Sequence, residues 1–218
     1  MPDISTVNGV DITTLSSFGG VAFADGQTLD GQNVALVSDA HTFISSQTAS
    51  SGSSLSFTSG IDSTYDVYEW HFINLHPASD YATLTFQVNA VGQTGFNETM
   101  TTTWFYARHQ ESGSGTALQY NTSYDQGQGT GYQYIGNFTG NDNDQSVSGI
   151  LRLYAPSSTT YVKHFESVTS DYQGNNYLMN VFTGGYINTT SAIDEIDFKL
   201  STGSIEAGEI RMYGVATS

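Results

Sequence analysis

From Ala82 to Ala90 the chain alternates apolar and polar residues without a fault (Ala-Thr-Leu-Thr-Phe-Gln-Val-Asn-Ala). That pattern predicts a β-strand with one buried and one solvated face. Similar runs predict strands at 55–57, 66–75, 103–110, 132–138, 147–154, 160–168, 177–182, 195–200 and 209–215. Within 177–182 (Tyr-Leu-Met-Asn-Val-Phe) both parities are apolar, which predicts a central strand covered on each side. Turn-rich stretches such as Gly140-Asn141-Asp142-Asn143-Asp144 separate the runs, and no segment sustains a helical apolar period. Many short strands at regular spacing predict an all-β fold, a two-sheet antiparallel sandwich that is jelly-roll-like, with a short N-terminal extension.

The opening residues follow another pattern. Ile4-Ser5-Thr6-Val7-Asn8-Gly9-Val10 is echoed by Ile12-Thr13-Thr14-Leu15-Ser16-Ser17-Phe18-Gly19-Gly20-Val21, each copy ending in a Gly turn and a Val. Asn-Gly between short apolar runs signals a tight turn, because both residues tolerate positive φ. Neither copy is long enough to bury a core alone. The expected organisation is therefore a docking or assembly segment at 1–40, with Ile4, Val7, Val10, Ile12, Leu15 and Phe18 as docking residues, and a sandwich at 41–218. A frayed N-terminal extension is the plainer alternative.

Charge narrows the partners. A net charge of −16 is accompanied by only five basic residues, Arg108, Arg152, Lys163, Lys199 and Arg211, and they are scattered. Nothing there forms an electrostatic footprint on phosphates, so no nucleic acid is expected, and an anionic membrane surface is disfavoured for the same reason. No apolar run is long enough to span a membrane. Cysteine is absent, which removes disulfides, thiol nucleophiles and Cys-based zinc sites. The start, Met1-Pro2-Asp3-Ile4, has no basic patch and no apolar core of signal-peptide kind, so synthesis in a cytoplasm and exit by a route such as lysis are expected.

Four blocks of the chain look like one known group. The run Ser63-Thr64-Tyr65-Asp66-Val67-Tyr68-Glu69-Trp70-His71-Phe72-Ile73-Asn74-Leu75-His76-Pro77 resembles a segment of virion structural proteins from marine cyanophages and related marine phages. The blocks at 101–109, 157–165 and 186–199, with the ending Ile210-Arg211-Met212-Tyr213-Gly214-Val215, are similar to the same proteins in the same order. The likeness covers 60–215, and the opening repeat resembles short repeats at the starts of marine phage structural proteins. The resemblance implies a particle component, tail-fibre-like or capsid-associated, with no catalytic motif. It implies a virion location and other virion proteins, of capsid or tail, as partners.

Candidate chemistry adds little to this. His71, His109 and His164 sit inside strand patterns among aromatics, where an inward hydrogen-bonded side chain or a cross-strand partner is the favoured reading, and no HExxH spacing occurs. Asn141-Asp142-Asn143-Asp144 resembles half of a calcium loop but lacks the downstream Glu and the correctly placed Gly. A solvated turn is favoured over a weak Ca²⁺ site at Asp142 and Asp144, and no cofactor is expected. Asp194, Glu195 and Asp197 are neighbours in sequence, which says nothing about the flanking carboxylates a glycosidase needs. No enzyme is predicted.

The segment 119–134 interleaves Tyr120, Tyr124, Tyr132 and Tyr134 with Gln, Asn and Asp. Packing onto the sandwich is the first reading of these tyrosines, a subunit interface the second and contact with a host-surface glycan the third. The expectation overall is a capsid decoration or surface protein docked by its N-terminal segment, forming a homo-oligomer such as a trimer. A tail-fibre adhesin and a secreted carbohydrate-binding module are the alternatives.

Overall fold

The alternating run at 82–90 forms an inner strand of the smaller of two packed antiparallel sheets. The computed structural model describes residues 41–215 and, before them, the backbone of six two-residue strands. Those six are β1 (Thr6–Val7), β2 (Val10–Asp11), β3 (Ser17–Phe18), β4 (Val21–Ala22), β5 (Thr28–Leu29) and β6 (Gln32–Asn33). There follow β7 (His41–Thr48), β8 (Ser54–Phe57), β9 (Val67–Pro77), β10 (Leu84–Ala90), β11 (Met100–Gln110), β12 (Ala117–Tyr120) and β13 (Gly127–Gly129). The last are β14 (Gln133–Tyr134), β15 (Val147–Tyr154), β16 (Lys163–Tyr172), β17 (Tyr177–Ile187), β18 (Ile193–Leu200) and β19 (Ile205–Val215). No helix occurs among the described residues.

The fold is a two-sheet antiparallel sandwich. One sheet has four strands in the order β14-β10-β18-β8; the other has nine, in the order β12-β11-β17-β16-β15-β9-β19-β7, with β13 pairing β11. Pairs β9·β19, β10·β18 and β11·β17 are nested along the chain, which is how a jelly roll wraps, and the β15–β16 hairpin is inserted into the larger sheet. The core between the sheets is aromatic. Trp70 lies against Phe57 and Phe198, Phe72 against Phe198 at 5.2 Å and Phe86 against Phe165 at 4.9 Å between ring centroids. Such aromatic pairs, most of them edge-to-face, add to the apolar burial that holds the sheets together.

The strand expected at 132–138 shortens to β14 (Gln133–Tyr134), and three further details differ from the sequence pattern, each with a physical cause. The polar parity of β10 is not wet: Thr85, Gln87 and Asn89 are buried with the rest of the strand. Gln87 donates to the carbonyls of Glu98, Thr130 and Gly131, so the overlying backbone, rather than water, satisfies its amide. Strand β17 is central in its sheet, yet one of its faces stays open, leaving Leu178 half exposed. Within β9, Asn74 adopts φ 49° at an irregularity of the ladder. The parity flips there and returns Leu75 to the core.

The chain divides into two compact units, Met1–Ala40 and His41–Ser218. In the first, β1·β2, β3·β4 and β5·β6 are hairpins that recur every eleven residues. The residues between the paired strands are Asn8-Gly9, Gly19-Gly20 and Asp30-Gly31, the pairs that two-residue hairpin turns favour. The sequence pattern gave two copies; the third, around Thr28-Leu29-Asp30-Gly31-Gln32, escapes it because Gln replaces the Val after the turn. Of the expected docking residues, Val7, Val10 and Phe18 lie in these strands, while Ile4, Ile12 and Leu15 lie outside the described residues.

Candidate functional site

The outward face of the nine-stranded sheet gathers the chain's unusual chemistry. Cross-strand pairing aligns Phe43, Tyr213, Glu69, Arg152, Glu166, Gly184 and Thr103 in one row across seven strands. Within it Glu69 is only 4% exposed despite facing away from the core. Arg152 Nε donates to its Oε1 at 2.6 Å, and Nε2 of both His41 (3.0 Å) and His71 (2.9 Å) meets its Oε2. Burial pushes the Glu69 pKa up, but the hydrogen bonds from His71 and Arg152 and the Arg152 charge outweigh it, leaving the carboxyl below its ordinary value. Arg152 also donates to Glu166, which accepts from the Tyr154 hydroxyl at 2.7 Å. Burial, then the Glu166 hydrogen bond, pushes the Tyr154 pKa up to about 12. Tyr213 packs on His71, their ring centroids 4.8 Å apart, and closes the cluster on the β19 side.

The row beside it is apolar. Ile150, Val168, Phe182, Phe105 and Tyr120 are consecutive cross-strand partners on β15, β16, β17, β11 and β12. The rings of Phe105 and Phe182 stack at 5.0 Å and 8°. Val168 is 45% exposed, Phe105 38% and Tyr120 55%, and Leu118 on β12 is exposed to 73%. A contiguous apolar strip of this kind marks a contact surface more often than chance exposure does.

The tyrosines of segment 119–134 divide. Tyr124 packs on Trp104 (4.7 Å) and Tyr134 (5.0 Å), in a second buried cluster with Tyr106, Met179 and Val181. Tyr132 donates to Asp197 at 2.8 Å, and Lys199 Nζ sits 3.5 Å above its ring. Tyr120 alone of the four stands well exposed, bonded to Asp125. Asp142 and Asp144 are exposed in a turn closed by Gln145, which accepts from the Asp142 N–H. The basic residues are engaged within the fold: Lys163 is buried under the carbonyls of Tyr161 and Thr189, Arg211 pairs with Glu209, and Arg108 covers Tyr177.

Sequence reasoning missed Glu69, His41 and Arg152 as a group. Glu69 and His71 are two apart on one strand, so they share a face, but His41 and Arg152 arrive only through strand pairing. His71 faces outward rather than into the core. No family model matches the chain, and no curated protein or solved structure is significantly similar to it.

Proposed function

We propose that this protein is a non-catalytic structural component of a bacteriophage virion, a capsid decoration or surface protein docked by its N-terminal residues. The observation that carries the assembly in this reading is the apolar strip from Ile150 to Tyr120 on an otherwise strongly acidic molecule. With a net charge of −16, copies of the chain repel one another, and a strip whose own side chains carry no charge is where two can meet at least electrostatic cost. The occupant proposed for it is a second copy, in a closed ring such as a trimer. The hairpin repeat of the first unit supplies a separate element for docking to other virion proteins. The resemblance of 60–215 to marine phage structural proteins, read from the sequence alone, points to the same role.

Light scattering on the full chain tests the assembly. A closed oligomer at micromolar concentration is expected, and Phe105→Asp, which puts a charge on the strip without touching the core, is expected to shift it to monomer. A wild-type chain that is monomeric under those conditions contradicts the reading. A second reading, a tail-fibre adhesin, has one observation in its favour. A hollow of about 560 Å³ is lined by Tyr154, His164, Glu166, Gly184 and Tyr186, combining aromatic faces and a carboxylate as sugar contacts do. A defined glycan bound at micromolar affinity, and lost in Tyr186→Ala, would promote the adhesin or a secreted carbohydrate-binding module above decoration.

A further inference from the structure

We propose that His41, Glu69 and His71 form a binding site for one divalent transition-metal ion of the zinc class on the outward face of the larger sheet. Their ligand atoms all lie within 4.8 Å of one another, with the Glu69 carboxylate oxygen 3.0 Å from His41 Nε2 and 2.9 Å from His71 Nε2. Around a tetrahedral zinc ion, with bonds of about 2.0–2.2 Å, donor atoms stand roughly 3.3 Å apart. The two legs through Glu69 are already near that spacing, and rotation of the half-exposed His41 side chain closes the third.

The donor set selects the ion. Two imidazoles and one carboxylate suit zinc and its neighbours, whereas calcium and magnesium take oxygen ligands. Three protein donors leave a fourth position, filled by water on the side where His41 is open to solvent. The surroundings hold the donors in place. Arg152 occupies the other oxygen of Glu69 at 2.6 Å and fixes the carboxylate plane, while Tyr213 packs on the His71 ring. Two of the five histidines in the chain converge on this one buried carboxylate. The register of β7, β19 and β9 brings these positions together, but it does not dictate that two of them be histidine around a buried carboxylate. An ion here ties the beginning of edge strand β7 to β9 across β19, and so secures the residue that directly follows the first unit.

The test is titration of the untagged full chain with Zn²⁺ by calorimetry, and with Co²⁺ by visible absorption, which reports tetrahedral coordination. One equivalent is expected to bind, with a raised melting temperature by mass action. His41→Ala and His71→Ala are expected to weaken binding at least tenfold each. Both side chains are partly exposed, so circular dichroism is expected to show the wild-type fold. His164→Ala, a histidine on the same face outside the cluster, is expected to bind as the wild type does. Failure to bind either ion, or undiminished binding in His41→Ala and His71→Ala, overturns the proposal.

Discussion

Trp70→Ala is expected to lower the unfolding free energy by about 3–5 kcal/mol, the range for truncating a large buried aromatic. Trp70 is fully buried on β9, where the four-stranded sheet meets the nine-stranded one, with the rings of Phe57, Tyr68 and Phe198 around it. Rigid strands surround the site on both layers, so little of the void can collapse. Its Nε1 has no hydrogen-bond partner, so the indole is held by packing alone. Trp70→Phe therefore loses volume but also removes a desolvated N–H, and its loss should be the smaller of the two. Guanidinium unfolding measures both, with Trp104 as the remaining fluorophore. An unchanged midpoint for Trp70→Ala would mean that the two sheets do not pack through this residue. Against a total of about 5–15 kcal/mol for a domain, the expected loss leaves little margin at higher temperature.

The second large effect belongs to Asp171, buried on the inward side of β16. Burial raises its pKa to about 6, although the Asn137 N–H and the Thr139 and Thr169 hydroxyls favour the charged form. The hydrogen bonds explain which form fits. Oδ1 accepts from Asn137 and Thr139, whereas Oδ2 lies 2.9 Å from Thr169 Oγ1, itself 2.7 Å from the Ile135 carbonyl. One hydroxyl hydrogen cannot serve both acceptors. With Asp171 ionised, Thr169 donates to Oδ2 and leaves the Ile135 carbonyl without its hydrogen; with Asp171 protonated, Oδ2–H donates to Thr169, which then donates to Ile135.

The direction of the pH effect follows from the raised pKa. Below about pH 3 both folded and unfolded chains carry the proton, and the group contributes no loss. As pH rises toward 6 the unfolded chain ionises first, so stability falls by about 3 kcal/mol and then stays level. Asp171→Asn reproduces the protonated acid, its amide N–H donating where Oδ2–H did. It is expected to match wild type at about pH 3 and to exceed it increasingly up to about pH 6, as measured by urea midpoints across that range. The difference between the two proteins isolates this group from Glu69 and Glu166, whose lowered pKa values act in the opposite direction. A difference that does not change with pH would show that Asp171 is already ionised throughout.

Much of the β architecture was legible because alternation reports which residues share a face. The unbroken run at 82–90 and the runs at 147–154 and 195–200 all became strands close to their expected bounds. What alternation does not report is what lies over a face. Gln87 looked like a solvated residue because the backbone that covers it comes from 98 and 130–131, distant in sequence. Leu178 and Phe182 looked like a second buried face because the sequence does not distinguish a covering layer from an open strip. Strand β7 was missed because His41–Thr48 carries mostly small and polar residues, and its pairing with β19 rather than its own pattern makes it a strand. The His41–Glu69–His71 cluster was hidden for the same reason: the register of three strands, β7, β19 and β9, brings it together.

The central claim, a place on the surface of a phage particle, is tested most directly by immunogold electron microscopy with antibody raised against residues 41–218. Gold distributed over particle heads is the predicted result. Gold confined to tails would contradict decoration in favour of an adhesin, and particles bearing no gold would contradict a virion role altogether.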